Sequence, residues 1–398
     1  MCIRDSILII NRDIQRELLR QLEEYPIVTI LGPRQAGKTT LARSVLSGYQ
    51  YINLEDPEIR QKIQYDAKRF LSSLSSSVIL DEIQRTPELL SYLQVLVDEE
   101  GSTRKFVLTG SHQLELRAAI SQSLAGRTSI LNLLPLSIKE LNQSNIRYDS
   151  FSEYVVNGFL PRVYKDKQRP HLAYRNYYQT YVERDVRQLV GLKEASLFEK
   201  FMKLLAGRTG QLMNADSLGN DVGVSSKTIK HWLSVLEASF IVFKLTPFHN
   251  NFGKRVIKSP KYYFTECGLL AYLLDLDKPE QLERDPLVGN IFENLVVIEL
   301  LKARYNSGLS AGLHFFRDSN GNEIDVLLKQ GGQLTGVEIK SSSTWHSSLV
   351  KNLHRFSKTN QTLDKEFLVY NGESFGFGER AQALNFQNAF KVMECSEA

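Results

Sequence analysis

A glycine-rich segment near the amino end constrains this chain more than any other feature. It reads Gly32-Pro33-Arg34-Gln35-Ala36-Gly37-Lys38-Thr39. It lies between the apolar run Ile27 to Leu31 and a helical pattern that opens at Thr40. A turn of this kind between a strand and a helix presents backbone N–H groups that can surround phosphates. Lys38 would reach the β and γ phosphates, and the Thr39 hydroxyl would ligate Mg²⁺. The segment, including Thr40, predicts a site for a nucleoside triphosphate.

Two adjacent carboxylates follow the apolar run Val78 to Leu80. Asp81 would hold the Mg²⁺ shell, and Glu82 would orient or deprotonate the water that attacks the γ phosphate. A protein that only binds nucleotide has less need of the second acid. A solvated strand end is the alternative explanation for Glu82 taken alone. The pair, together with the glycine-rich segment, favours nucleotide hydrolysis over binding alone.

Three further residues are candidates for the same site. Thr109 and Ser111 follow the apolar run Phe106 to Leu108, where a hydroxyl could sense the γ phosphate. Arg127 could stabilise the charge of phosphoryl transfer, either in its own subunit or at the nucleotide of a neighbouring subunit in a homo-oligomer. The ordinary alternatives, a loop hydroxyl and a surface arginine, stay open because neither assignment has a strict spacing rule.

Apolar runs with little polar alternation continue to about residue 135, and helical patterns alternate with them. Such runs are typical of strands that are buried on both faces of a parallel sheet. The runs are Ile27 to Leu31, Tyr51 to Leu54, Val78 to Leu80, Phe106 to Leu108 and Ile130 to Leu133. We therefore predict an α/β P-loop domain over residues 12–137. The next stretch is rich in Tyr and Arg at helical spacing, which predicts a helical connector over residues 138–205.

The composition excludes several classes of protein. Of the 398 residues, 42% are hydrophobic and 24% are charged, as in globular domains and unlike disordered or disulfide-stabilised chains. The net charge of +4 requires any nucleic-acid surface to be a local patch. Three widely spaced cysteines without a CxxC motif predict a reducing cytoplasm. The absence of a long apolar run predicts that no segment spans a membrane.

Several segments together resemble a known family. They are LGPRQAGKTTLA, VILDEIQ, LTGSHQL, SLAGR, LPLSIKEL, YVERDV and KSPKYYFTECGLLAYL. They are similar to the AAA-type P-loop ATPases of bacteria and archaea that carry a C-terminal domain of unknown function. The resemblance covers most of the chain, from about residue 11 to beyond residue 340. It implies an intracellular ATPase, and with the glycine-rich segment it predicts ATP and Mg²⁺ as ligands.

A helix-turn-helix pattern lies within the third predicted domain, residues 206–270. A short helix, Asp216 to Asp221, is followed by a turn through Gly223 and by a second helix that opens at Ser226. A basic segment then precedes the aromatic strand Tyr262 to Phe264, an order typical of a winged helix. The candidate DNA contacts are Lys227, Lys230, Lys254, Arg255, Lys258 and Lys261. The alternative is a winged helix that only packs against other domains.

The last predicted domain, residues 285–398, contains a hairpin with polar groups on one face. Gly331-Gly332 suits a two-residue turn with positive φ at both positions. Pairing outward from that turn sets Asp325 opposite Glu338, and Lys340 lies two residues further along the same face. These groups predict a Mg²⁺ or Mn²⁺ site, in which the two carboxylates ligate the metal and Lys340 positions water.

The spacing of these residues resembles the PD-(D/E)xK nuclease superfamily. Glu293 would lie on the first helix, Asp325 on the second strand, and Glu338 and Lys340 on the third strand. Ile324 stands where the family motif has proline. The resemblance implies an α/β nuclease-like domain in which Glu293 completes the metal site. The alternative is a set of cross-strand ion pairs, which contribute little to stability on a solvated face.

Two hypotheses for the whole chain follow. The first is an ATP-hydrolysing protein that couples its nucleotide state to a C-terminal region that binds DNA and cleaves it with a metal. The second makes the C-terminal half a non-catalytic module that contacts DNA or a protein partner while ATP sets its state.

Overall fold

The strands predicted in the amino-terminal part form a parallel sheet. The computed structural model describes residues 10–99, 101–111, 119–120, 122–192, 194–248, 258–359 and 362–394. Within these ranges the strands of the first sheet are β1 (Ile27–Leu31), β2 (Gln50–Asn53), β3 (Ser77–Asp81), β4 (Lys105–Gly110) and β5 (Thr128–Asn132). Their order is β2-β3-β4-β1-β5, and every pairing is parallel. The carboxyl ends of β1, β3 and β4 therefore meet at one edge, where ligands bind in open α/β sheets.

Helices cover both faces of this sheet, because apolar residues of its central strands are buried against them in two clusters. They are α1 (Gln15–Glu24), α2 (Lys38–Val45), α3 (Pro57–Ser72) and α4 (Leu89–Asp98). The middle of α3 is kinked at Asp66, whose φ of −157° is not helical. The α/β class and the parallel sheet predicted from the apolar runs are confirmed.

A run of helices follows the sheet, as the Tyr- and Arg-rich patterns predict. It comprises α5 (Ile138–Gln143), α6 (Phe151–Asn157), α7 (Pro161–Lys165), α8 (Pro170–Tyr177), the π-helical segment Tyr178–Val186, α9 (Arg187–Val190) and α10 (Ala195–Ala206). Ser137 and Ser150 each cap a helix and are paired with Glu140 and Glu153 in capping boxes. Such reciprocal bonds satisfy N–H groups that a helix start leaves unpaired.

Two helices across a tight turn come next. They are α11 (Ala215–Val222) and α12 (Ser226–Ala238), and the hairpin strands β6 (Val242–Pro247) and β7 (Lys261–Phe264) follow them. Gly223 ends α11 with a φ of 98°, and the Ser225 hydroxyl accepts the Thr228 N–H at 3.1 Å. Ile229 and Trp232 are buried on the inner face of α12.

The carboxy-terminal part adds helices and a second sheet. The helices are α13 (Cys267–Leu273), α14 (Pro279–Glu283), α15 (Val288–Asn306), α16 (Lys351–Thr359) and α17 (Lys391–Glu394). The strands are β8 (Leu313–Arg317), β9 (Glu323–Gln330), β10 (Gln333–Lys340), β11 (Lys365–Tyr370), β12 (Phe375–Gly378) and β13 (Ala381–Asn385). Within the described ranges the second sheet has the order β12-β13-β11-β10-β9-β8-β6-β7. The hairpin β6–β7 is therefore part of the carboxy-terminal sheet, because β6 pairs with β8.

Buried residues of both sheets and of the helices between them belong to one apolar cluster. It includes Leu80 in β3, Tyr181, Trp232 in α12, Ile298 in α15 and Val326 in β9. The segments predicted as separate domains therefore pack against one another. Among the described residues, no helix combines the length and the apolarity needed to cross a bilayer.

Candidate nucleotide-binding site

A cavity of about 720 Å³ opens beside the glycine-rich loop. From the loop and α2 it is lined by Arg34, Gln35, Gly37, Lys38, Thr39 and Thr40. From the helical connector it is lined by Pro161, Arg162, Lys165, Asp166, Thr180, Tyr181 and Arg184. Its volume is in the range of pockets that enclose a small-molecule ligand. The predicted nucleotide contacts and the connector therefore face the same space.

The loop backbone has the conformation that a phosphate cradle needs. Gln35 and Gly37 have φ values of 63° and 93°, and Gly37 leads directly into α2. A Cβ on Gly32 would lie 2.0 Å from the carbonyl oxygen of Leu133, so only glycine fits there. Alternating right- and left-handed residues turn successive N–H groups toward one point, which forms an anion-binding concavity. The loop residues therefore fit the phosphates of a nucleotide.

Lys38 is the buried cation of this loop. Its side chain is 5% exposed, and its Nζ donates to the carbonyl oxygens of Gly32 at 2.9 Å and Pro33 at 2.8 Å. Burial lowers the pKa of Lys38 to about 8, against the opposing charges of Glu82 and Asp81. The amine thus has neutral hydrogen-bond partners and a strong electrostatic preference for a nearby anion.

Asp81 is the centre of a hydrogen-bond network below the loop. The Thr39 hydroxyl lies 3.0 Å from each of its carboxylate oxygens, and the Tyr51 hydroxyl donates to Oδ2 at 2.8 Å. Thr109 donates its hydroxyl to Oδ1. Oxygen ligands are the ones that Mg²⁺ prefers, and Thr39 and Asp81 bring two of them together at the start of α2. These two residues therefore fit a magnesium ion that accompanies a nucleotide.

Glu82 is held beside Asp81 by the next strand. Its backbone adopts a φ of 59°, and its N–H donates to the Thr109 hydroxyl at 3.1 Å. Its carboxylate accepts the Ser111 hydroxyl at 3.1 Å and the side-chain amide of Gln84. Thr109 thus contacts both acids, and Ser111 contacts the second one. The structure brings both predicted hydroxyls to the carboxylates, while Tyr51 and Gln84 are site residues that the motif analysis missed.

Arg127 lies at the opposite edge of the sheet from the glycine-rich loop. Its carbonyl accepts the N–H of Ile27, the first residue of β1, whereas the loop follows the last residue of that strand. Five strand residues at about 3.3 Å each separate the two edges. The guanidinium pairs with Asp98 at 2.6 Å. Arg127 therefore does not reach the loop of its own chain, and only its role at a neighbour's nucleotide stays a prediction.

Arginine residues other than Arg127, from the loop and from the connector, line the cavity. Arg34 of the loop pairs with Asp185 of the connector at 3.0 Å and lies over the Tyr181 ring, 5.7 Å from its centroid. Arg162 and Arg184 line the same cavity from the connector. The YVERDV segment carries several of these residues, but its spacing alone does not indicate that it folds over the loop.

The carboxy-terminal hairpin has the predicted turn and register. Gly331 and Gly332 have φ values of 56° and 87°. The pairing runs from Gln333 opposite Gln330 to Val337 opposite Val326. The prediction of a two-residue turn with positive φ at both positions is confirmed.

Two lysines stand among the carboxylates that were predicted to bind a second metal. Lys340 Nζ lies 3.1 Å from Asp325 Oδ2 and 2.9 Å from Glu338 Oε2. Lys261 Nζ lies 2.9 Å from Glu293 Oε1 and 2.5 Å from a carboxylate oxygen of Glu323. Within the described ranges, no group of three or more His, Cys, Asp or Glu side chains is arranged to hold a metal ion. The predicted metal site at Glu293, Asp325 and Glu338 is therefore not supported, because ammonium groups already compensate these acids.

The pKa values of the two facing carboxyl groups of the hairpin are shifted in opposite directions. Burial and the neighbouring charge of Asp325 raise the pKa of Glu338 well above its usual range. Although burial acts in the opposite direction, Lys340 and Lys261 lower the pKa of Asp325. Two like charges this close disfavour joint ionisation, so the pKa values of the two carboxyl groups move apart. The two lysines compensate negative charge that would otherwise attract a cation.

The predicted DNA contacts fall into three groups. Lys227, Lys230 and Lys258 are exposed. Lys261 is 3% exposed, because it reaches inward to the partly buried carboxylates of Glu293 and Glu323. This corrects the expectation that Lys261 faces a nucleic acid. Lys254 and Arg255 lie outside the described residues.

Comparison with protein families locates three domains along the chain. Residues 24–142 match the AAA domain, and residues 148–280 and 288–388 match two domains of unknown function, DUF8612 and DUF4143. Together with the glycine-rich loop and its paired acids, the first match shows that the chain contains an AAA-type domain, for which ATP and Mg²⁺ are the implied ligands. The predicted AAA-type domain is confirmed, whereas the last match is to a domain of unknown function and names no nuclease.

Two relatives are similar to this chain over most of its length. The uncharacterized protein Rv2008c of Mycobacterium tuberculosis is 32% identical over 371 residues, which are 92% of this chain and 81% of that protein. The chain therefore belongs to the same family as the mycobacterial protein. The uncharacterized protein MJ1637 of Methanocaldococcus jannaschii is 25% identical over 84% of this chain and 79% of its own length. Among solved structures, the Walker-type ATPase PABY2304 of Pyrococcus abyssi is similar over 68% of this chain and 97% of its own, with 17% identity and a TM-score of 0.42.

Proposed function

We propose that this protein binds ATP with Mg²⁺ at the glycine-rich loop and hydrolyses it there. The observation that carries the proposal is the connected group Thr39, Asp81, Thr109 and Glu82 beside the buried amine of Lys38. One hydroxyl, that of Thr109, contacts the carboxylate of Asp81 and the backbone of Glu82. The two acids are therefore held at a fixed spacing, as a metal-holding group and a water-orienting group require.

Each residue has a distinct part in this proposal. The loop N–H groups and Lys38 bind the phosphates, and Lys38 exchanges its two carbonyl partners for phosphate oxygens. Thr39 and Asp81 hold Mg²⁺, which would neutralise charge that develops on the phosphates. Glu82 orients the attacking water and takes its proton. Arg127 would act only at the nucleotide of a neighbouring subunit.

Nucleotide binding by a Lys38→Ala variant tests the first part of this proposal. Truncation removes the cation from the loop, so we expect a loss of ATP affinity of about 100-fold or more. The measurement is titration calorimetry with a non-hydrolysable ATP analogue and Mg²⁺. The exposed Lys62→Ala variant on α3 is the control and should bind like the wild-type protein. Equal affinity of Lys38→Ala and the wild-type protein would contradict the assignment.

For the carboxy-terminal half we propose a non-catalytic module that contacts DNA or a protein partner while ATP sets its state. The ion pairs of Lys261 and Lys340 support a module over a nuclease, since they occupy the carboxylates that a metal would need. The exposed side chains of Lys227, Lys230 and Lys258 supply positive charge for contacts with nucleic-acid phosphates. The contacts of α15 with the segment after β5 support coupling, because Lys302 donates to the Leu136 carbonyl at 2.7 Å.

Calorimetry of the full-length protein with Mn²⁺ distinguishes the module from a nuclease. The module predicts that an Asp325→Ala variant binds Mn²⁺ in the same amount as the wild-type protein when no nucleotide is present. A nuclease predicts an additional Mn²⁺ site that this variant loses, together with Mn²⁺-dependent DNA cleavage that Asp325→Ala and Lys340→Ala both abolish. Observation of that site and that cleavage would overturn the module.

A further inference from the structure

Arg12 is a buried arginine that links the phosphate loop to the rest of the molecule. It precedes α1 and is 8% exposed. Its Nη1 donates to the carbonyl oxygen of Ala36 at 2.7 Å, and its Nη2 donates to that of Leu134 at 2.7 Å. Its Nε donates to Glu140 Oε1 at 3.0 Å. Three donors of one guanidinium thus hold three separate segments.

The contact with Ala36 controls the peptide that joins it to Gly37. The peptide group is planar and trans, so the carbonyl of residue 36 and the N–H of residue 37 point in opposite directions. Gly37 has a φ of 93°, a conformation that glycine adopts at little cost. Because glycine tolerates many backbone conformations, Gly37 does not by itself fix the orientation of this peptide. A donor that fixes the Ala36 oxygen on one side therefore directs the Gly37 N–H to the other side.

Arg12 is itself held by a rigid support. Glu140 is fully buried and also accepts the N–H groups of Asp13 at 2.8 Å and Ser137 at 2.8 Å. It is the capping-box residue of α5. The adjacent Ile138 N–H donates to Glu299 of α15 at 2.8 Å. The guanidinium is therefore pre-organised, and its charge is compensated by the Glu140 carboxylate.

We propose that Arg12 is a positioning residue of the nucleotide site, which holds the peptide between Ala36 and Gly37 so that its N–H faces the phosphates. The inference rests on the proposed ATP binding and goes beyond it by assigning a role to a residue outside the glycine-rich segment. Arginine suits the role because its planar fork reaches several acceptors in fixed directions, whereas lysine provides a single point charge.

An Arg12→Lys variant tests the proposal. Lysine keeps a charge beside Glu140 but cannot hold all three acceptors, so the peptide is no longer fixed. We expect KM for ATP to rise about 10- to 100-fold while kcat changes much less, because an interaction made equally in the ground and transition states is lost. The control is Arg20→Lys on the exposed face of α1, which should leave both constants unchanged.

A positioning role and a merely structural role of Arg12 affect different constants. Loss of positioning raises KM, whereas partial unfolding lowers the apparent kcat because less of the protein is active. A Glu140→Gln variant is the second test and decides the matter if Arg12→Lys does not fold. It keeps Arg12 but removes the charge that fixes the guanidinium, so KM should rise by a few-fold. Unchanged KM in the folded variant overturns the proposal. Failure of the wild-type protein to bind ATP would instead overturn the proposed function, and this inference with it.

Discussion

At the scale of single residues, the site combines a buried lysine with a carboxylate that accepts several hydroxyl donors. Lys38 is buried against two carbonyl oxygens, and burial lowers its pKa to about 8. Asp81 accepts hydroxyl donors from three different strands or helices, which is typical of a carboxylate that is kept ready for a cation. The arrangement is therefore built for a ligand that brings phosphates and a metal together.

The pKa of Lys38 predicts that ATP binding takes up a proton at alkaline pH. In the free protein part of Lys38 is neutral at pH 8.5, and the phosphates raise its pKa because an opposite charge favours the ammonium form. Calorimetry at pH 8.5 in two buffers of different ionisation enthalpy should therefore report different binding enthalpies.

The matched control is Lys38→Arg, whose guanidinium is charged throughout this pH range. We expect it to bind ATP with the same enthalpy in both buffers. Equal enthalpies in both buffers for the wild-type protein would show that Lys38 is already fully charged before ATP binds.

At the scale of elements, the hairpin β6–β7 joins the carboxy-terminal sheet through the pairing of β6 with β8. This pairing carries Lys261 to the carboxylates of α15 and β9. Burial opposes the charge of Lys261, but Glu293 and Glu323 raise its pKa above the usual range. A titratable group whose pKa is higher in the folded state than in the unfolded state stabilises the fold fully at any pH below its unfolded-state pKa. The unfolded-state pKa of a lysine lies well above pH 7, so the stabilisation from Lys261 is present throughout the neutral pH range.

Substitution of Lys261 by methionine should therefore destabilise the protein. The change keeps the approximate length of the side chain but leaves the partly buried Glu293 without its cation, while Glu323 keeps Arg317. Removal of one partner of a buried pair costs about 3–5 kcal/mol. The exposed Lys258→Met is the control, and we expect its free energy of unfolding to change by less than about 0.5 kcal/mol. Urea unfolding at pH 7 measures both. Similar midpoints for the two variants would mean that Lys261 is not a structural cation.

At the scale of the whole molecule, hydrogen bonds connect the phosphate loop to the carboxy-terminal part. Arg12 joins Ala36 of the loop to Glu140, and α15 contacts the same segment through Glu299 and Lys302. A change in the loop on nucleotide binding thus has a contiguous route to α15, which also carries Glu293. This arrangement is the physical basis of the proposed coupling.

Local patterns predicted the parts of the molecule that are local in sequence. The loop, the strands that flank it and the turn at Gly331 depend on neighbouring residues, so their positions follow from spacing. The partners of Arg12 lie 24, 122 and 128 residues away, and no periodicity indicates such contacts. The sequence predicts a basic surface position for Lys261, because the pairing of its hairpin with a later strand cannot be inferred from spacing.

Turnover of ATP by a Glu82→Gln variant tests the central claim most directly. Glutamine keeps the shape of Glu82 but cannot take a proton from water, so we expect ATP to bind with near wild-type affinity and hydrolysis to fall by about 100-fold or more. The exposed Glu88→Gln variant should hydrolyse ATP like the wild-type protein. Phosphate release from Mg·ATP in a single turnover is the measurement: the account predicts bound, intact ATP in Glu82→Gln, and wild-type release from that variant would contradict it.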